Sequence, residues 1–255
     1  MNPRGTSIPM KAFSSLTNRL FLILAGTAAF AVSAAETPSG MPEGFRLLYE
    51  QKCDTAGSLN EFAFTDANAW RFSRQEASGP ALELFQQSQY APGVRSPFNI
   101  ALIADKAFTD FVLEAEVIST AREYPHRDMC LIFGLQSPTN FYYTHIATGP
   151  PDPHAHNVFI VNGAPRLAFA KEITEGVAWG TTNQWHKIRL ERNAGTGAVK
   201  VYFDDLAKPI MTAEDKTFGA GYIGFGAFDD TGKVRNIRVW GRSLEEKKTG
   251  FYRRP

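Results

Sequence analysis

The 255-residue sequence has only two cysteines, and neither sign of charge is in excess. With 27 Lys+Arg against 26 Asp+Glu, it offers no strongly basic face to neutralise phosphates, which argues against a nucleic-acid partner. It also has no internal repeat and no low-complexity segment. The composition, 44% hydrophobic and 21% charged, is that of a globular chain rather than a disordered, collagen-like or coiled-coil one. Long apolar runs are absent, with one exception. Phe21–Ala34 follows Arg19 and ends in the small residues Val32-Ser33-Ala34, the pattern of a secretory signal peptide with its cleavage site. The run is short for a membrane span, which needs about 20 apolar residues. No cysteine stands near the cleavage site to carry a lipid, and no later segment could cross a bilayer.

The organisation read from this is a signal peptide over 1–35, a linker over 36–44, one domain over 45–241 and a charged, frayed tail over 242–255. The mature chain begins at Ala35 or Glu36, is secreted or periplasmic, and has no membrane attachment after cleavage. Without residues 1–35 the count is 24 basic against 26 acidic, a net charge of −2. In an exported chain Cys53 and Cys130 could form one disulfide. Cys130, inside Met129-Cys-Leu-Ile-Phe133, reads equally well as a buried thiol.

What is present in abundance is the aromatic side chain, with 20 Phe, 8 Tyr and 4 Trp. Short apolar or alternating runs recur between Gly, Pro, Asn and Asp. Phe45–Gln51, Ala81–Phe85, Asn99–Ala104, Phe111–Ser119, Met129–Gln136, Phe141–Ala147 and Val158–Asn162 read as strands. So do His186–Arg192, Val199–Asp204, Gly221–Phe228 and Val234–Trp240. One helical turn is expected around Ala67–Trp70. The pattern predicts an all-β, antiparallel two-sheet sandwich. Two hairpins are expected, one with a four-residue turn between Gln136 and Phe141, the other at Asn193-Ala-Gly-Thr-Gly197.

Several phrases carry a family resemblance. They are Phe64-Thr-Asp-Ala-Asn-Ala-Trp70, Phe108-Thr-Asp-Phe-Val-Leu-Glu-Ala-Glu116, Asn183-Gln-Trp-His-Lys-Ile-Arg189, Val199-Lys-Val-Tyr-Phe-Asp204 and Gly221-Tyr-Ile-Gly-Phe-Gly226, running on to Arg235-Asn-Ile-Arg-Val-Trp-Gly241. Together the chain resembles the concanavalin A-like lectin/glucanase superfamily, in particular its 3-keto-disaccharide hydrolase-like branch, also compared with the accessory sandwich of exo-inulinases. The resemblance implies a jelly roll with a concave face that often holds sugars. The same fold serves lectins, hydrolases, lyases and adhesion modules, so it does not assign an activity.

Four of the five histidines lie between His126 and Arg166. If Gln136 pairs with Phe141, then Gly134 faces Tyr143 and Ile132 faces His145. Gln136, Tyr143 and His145 then share a polar face, while Phe133, Leu135, Tyr142 and Ile146 share the core face. If Ala147 pairs with His156, His156 joins the polar face. Tyr143 and His145 are the candidate catalytic pair, as acid, base or hydrogen-bonding groups. Arg127, Gln136, His156, Asn157, Arg166 and the loop residue Trp179 are the candidate saccharide contacts. Tyr and His beside an arginine resemble the arrangement of jelly-roll polysaccharide lyases, although the strand motifs of the alginate-lyase branch are missing.

Two other chemistries compete. His145, His154 and His156, with Asp152, would suit a zinc ion, but loop histidines in solvent explain the spacing too, and no metal ligands are assigned. Asp229-Asp-Thr-Gly232 reads as a β-turn whose oxygens could bind Ca²⁺. Glu114 and Glu116 could flank a glycosidic bond. Ile118 stands where the glucanase pattern has its third carboxylate, and a solvated strand face is the simpler reading. The function expected is an exported protein that binds or processes a polysaccharide or oligosaccharide, by glycoside hydrolysis or lyase chemistry if catalytic. The alternative is a non-catalytic lectin-like or adhesion module of the cell envelope.

Overall fold

The computed structural model describes residue 38, residues 40–74 and residues 77–255. The proposed signal peptide lies outside them. The strands are β1 (Arg46–Gln51), β2 (Phe62–Phe64), β3 (Trp70–Ser73), β4 (Ala81–Leu84), β5 (Asn99–Phe108), β6 (Phe111–Ser119), β7 (Asp128–Ser137), β8 (Asn140–Ala147) and β9 (Asn157–Asn162). They continue with β10 (Leu167–Ala168), β11 (Ala170–Ile173), β12 (His186–Arg192), β13 (Ala198–Phe203), β14 (Met211–Glu214), β15 (Gly221–Ala227), β16 (Gly232–Gly241) and β17 (Leu244–Glu246). The expected helical turn is a 3₁₀ turn at Ala67–Ala69, capped by the Asp66 side chain.

Two antiparallel sheets form a sandwich. The first runs β11-β14-β13-β12-β6-β16-β4-β3, with β1 also on β16; the second runs β10-β9-β8-β7-β15-β5-β17, with β2 also on β5. Alternation explains the first sheet. On β6, Leu113, Ala115 and Val117 enter the core. Glu114 and Glu116 point outward and pair with Arg189 of β12 and Arg235 of β16. Such cross-strand pairs favour this register. The candidate hydrolase carboxylates are therefore held by guanidinium groups.

The second sheet is buried on both faces, which explains why β7 and β8 read as nearly unbroken apolar runs. Leu131, Phe133, Tyr142 and Ile146 face the inter-sheet core. Cys130, Ile132, Phe141, Tyr143 and Phe159 belong to a separate cluster on the other face, covered by Tyr90, Val94, Phe228, Phe251 and Tyr252. The tail is thus ordered rather than frayed. β17 pairs with β5, Arg253 pairs with Phe64, and Tyr252 is buried. A Phe or Tyr placed outside a sheet needs such a cover, because exposed aromatic area is costly.

The β7–β8 hairpin differs from expectation. Ser137 pairs with Asn140, leaving Pro138-Thr139 as a two-residue turn. Ile132 faces Tyr143 and Cys130 faces His145. The cause is a bulge between Phe133 and Ser137, centred on Gly134 at φ +58°. A Cβ on Gly134 would lie 3.1 Å from the Tyr142 ring. The bulge reverses alternation, so Leu135 joins the outer cluster instead of the core. Gly134 therefore opens no groove opposite Tyr143.

Candidate functional site

Cys53 and Cys130 are both buried free thiols, so the disulfide does not form. Cys53 belongs to the inter-sheet core and Cys130 to the outer cluster. On that outer face, the second sheet carries a cavity of about 260 Å³ lined by Arg95, Tyr124, His126, His145, His154, Arg166, Phe228 and Asp229. Its elements are brought together from distant parts of the chain. Arg95 comes from the β4–β5 connection and Phe228 from the end of β15. The Arg166 N–H donates to the Arg95 carbonyl at 3.3 Å, tying two loops together.

Phe228 forms an aromatic wall. The Arg166 guanidinium lies 4.3 Å from its ring centroid and that of Arg95 lies 5.8 Å away. Arg166 is held by two further bonds. Its Nη1 donates to the Tyr143 hydroxyl at 3.2 Å and its Nη2 to the His154 carbonyl at 2.8 Å.

Beneath the cavity lies a polar cluster. His145 Nε2 is 2.5 Å from Asp128 Oδ2. The Cys130 thiol donates to the same oxygen at 3.2 Å. The Asp128 N–H donates to Asp230 Oδ2 and the Tyr124 hydroxyl donates to Asp230 Oδ1, each at 2.7 Å. Burial, with the neighbouring Asp128 charge, holds the Asp230 carboxyl well above the ordinary carboxylate range. The Cys130 thiol is likewise pushed up, by burial first and by Asp128 second. His145 Nδ1 is buried without a protein partner.

The expected site residues separate into two groups. His145 and Arg166 border the cavity. Tyr143 lies under it, fully buried and stacked on Phe159 at 4.9 Å. Burial raises its hydroxyl above the usual tyrosine range, so it fits a donor better than a base. The others are elsewhere. Arg127 is 1% exposed and its guanidinium donates to the Ser119 and Gly180 carbonyls and to Glu123. Gln136 donates to the Ala220 carbonyl. Asn157 accepts from the Val158 and Ala170 N–H groups. Its strand partner is His145, so the expected Ala147–His156 register is off by one residue.

His156 is buried, and its Nδ1 accepts from the Ala147 N–H at 3.2 Å. Trp179, taken as exposed, is 1% exposed and packs in the core against His186 and Phe203. The His186 Nε2–H donates to the Trp179 carbonyl at 3.1 Å, which ties this loop tryptophan to the sheet. The competing zinc set of His145, His154 and His156 with Asp152 is not assembled. His156 is engaged with Ala147, and Asp152 accepts from the backbone of His154 and Ala155. The Asp229-Asp230 turn sends Asp229 to the cavity and Asp230 inward.

Sequence reasoning missed Arg95, Tyr124, Asp128 and Phe228, and read Asp230 only as part of a turn whose oxygens could bind Ca²⁺. Asp128 alone left a signal, since it stands two residues before Cys130 on one strand and so shares its face.

No protein-family model matches the chain, and no curated protein matches it in sequence. Solved structures do. A protein of unknown function with a galectin-like fold from Bacillus subtilis is 11% identical, covering 80% of this chain and 97% of that one, with a TM-score of 0.51. Winged bean acidic lectin, solved with methyl-α-D-galactose, is 12% identical, covering 79% and 100%, with a TM-score of 0.50. The GH43 protein BlXynB from Bacillus licheniformis is 11% identical and covers 80% of this chain but 40% of that longer one, with a TM-score of 0.51. At these identities the likeness concerns architecture: the chain is a β-sandwich with the concanavalin A-like jelly-roll fold.

Proposed function

We propose that the chain binds a saccharide in the cavity on the outer face of its second sheet, and that the favoured ligand carries a carboxylate, as a uronic acid does. The observation that carries this is the wall formed by Phe228 with Arg166 and Arg95. An aromatic ring offers a platform to the apolar C–H face of a sugar, and guanidinium groups bind carboxylates in a fork. His126 and His154 add imidazole donors, against the single carboxylate of Asp229. The jelly-roll neighbours include a lectin solved with a galactoside, which supports a saccharide over other small ligands.

The test is a glycan array of acidic and neutral oligosaccharides, followed by calorimetry with wild-type protein and Arg166→Ala. Acidic glycans are expected to bind, and the variant to lose at least tenfold in affinity, since charge-assisted hydrogen bonds contribute about 1.5–3 kcal/mol. Absence of any glycan binding by the folded protein would reject the reading. The His145–Asp128 pair favours a second reading, acid–base catalysis on the bound sugar. Unsaturated ends detected by ultraviolet absorbance would identify a lyase, and reducing ends without them a hydrolase.

A further inference from the structure

Asp128, Cys130 and His145 are the one set among the described residues in which three metal-ligating side chains bring donor atoms within 4.8 Å of one another. The backbone explains the meeting. Asp128 and Cys130 are two apart on β7 and so project from one face, and His145 of β8 stands directly opposite Cys130. All three are buried. A second carboxyl, Asp230, lies against Asp128, and a dication would offset the repulsion between them. His145 also borders the cavity and keeps one ring nitrogen without a protein partner.

We propose that Asp128, Cys130 and His145 bind a divalent transition metal of the zinc type at the floor of the cavity. The donor set selects the ion. Sulfur and imidazole suit Zn²⁺, whereas Ca²⁺ and Mg²⁺ require oxygen ligands. Three protein ligands leave a fourth position for water or a ligand. Zn–donor bonds of about 2.0–2.3 Å place tetrahedral donors roughly 3.3–3.7 Å apart. The present separations from Asp128 Oδ2 are 2.5 Å to His145 and 3.2 Å to Cys130. Entry of the ion would thus lengthen these two separations by less than about 1 Å. It would release the Cys130 thiol proton to solvent, with His145 ligating through Nε2 and keeping its ring proton on Nδ1.

The experiment is a Co²⁺ titration of the full, untagged chain after chelator treatment, with no sugar present, so that it stands or falls separately from the saccharide reading. A saturable one-to-one complex is expected, with a thiolate-to-cobalt charge-transfer band that Zn²⁺ abolishes. Cys130→Ser should remove the band, and Asp128→Asn should weaken binding at least tenfold. Circular dichroism identifies variants that keep the fold. If Asp128→Asn unfolds, His145→Gln replaces it. Absence of the charge-transfer band in wild-type protein would overturn the proposal. So would unchanged cobalt affinity in folded Cys130→Ser together with unchanged affinity in Asp128→Asn or His145→Gln.

Discussion

The imidazole of His145 and the carboxylate of Asp128 lie 2.5 Å apart under the cavity, with the two side chains 4% and 1% exposed. The pair joins β8 to the first residue of β7, whose N–H donates to Asp230, the carboxyl that also holds the cavity-lining Tyr124. A ligand or proton at His145 is therefore felt by two buried carboxyls.

Arg127 is expected to be a structural residue. Its guanidinium satisfies the Ser119 and Gly180 carbonyls in the interior. Arg127→Ala should destabilise the protein by about 3 kcal/mol, because buried acceptors are left unpaired. Urea unfolding measures this. Saccharide affinity of the remaining folded protein should stay within a factor of two, and a selective loss of affinity would return Arg127 to the binding surface.

The C-terminal tail should be required for stability. Phe251 and Tyr252 meet edge to face at 5.1 Å and cover the outer cluster with Tyr222 and Tyr90. Tyr252→Ala should cost about 3 kcal/mol, the range for a buried aromatic truncated to alanine. Deletion of residues 242–255 should cost more. Thermal melts check both, and an unchanged melting temperature in the deletion would show that the tail packs without consequence.

His156 should make stability pH-dependent. Burial first, then the nearby His145, pulls its pKa down from 6.5 to about 4. A depressed histidine is neutral in the fold, while the unfolded chain takes up a proton below pH 6.5. Stability is therefore lost as pH falls from about 6.5 toward 4, by up to about 3 kcal/mol. Asp230, shifted upward from 3.8 to about 7, acts in the opposite sense across this window. The informative quantity is thus the difference between wild type and His156→Gln. That difference should shrink or reverse on acidification from pH 7 to pH 4.5, and a pH-independent difference would contradict the assignment.

The proposed export signal makes a chemical prediction. When the full chain is expressed in a bacterium with an intact secretion pathway, the recovered protein should begin at Ala35 or Glu36 by mass spectrometry. Recovery of residues 1–35 on the exported protein would contradict signal cleavage.

The strands were legible where alternation or unbroken apolar runs were long. Phe111–Ser119 and His186–Arg192 were read to the residue. The missed strands, such as β2, β14 and β17, have only three or four residues. Such short segments carry too little periodicity and are held as strands by their neighbours. In the site, Tyr143, His145 and Arg166 were legible as one polar group because two of them share a strand face. Arg95 and Phe228 were not, because nothing local links residues more than a hundred positions apart. Trp179 and Arg127 were misplaced for the same reason. A side chain of mixed polarity can point either way, and its partners at Gly180, Ser119 and Phe203 come from other elements.

The sequence by itself determined the all-β class and most of the strands, because period-two burial and turn residues act locally. It also determined which side chains share a face on an uninterrupted strand. Only the tertiary structure decided what covers each face. The Gly134 bulge reset the alternation of β7, and the tail and the 86–98 connection closed over the outer aromatic cluster. The Asp128–Cys130–His145 meeting needed both levels. The first two residues are neighbours by strand geometry, whereas the third arrives only through the register of the hairpin.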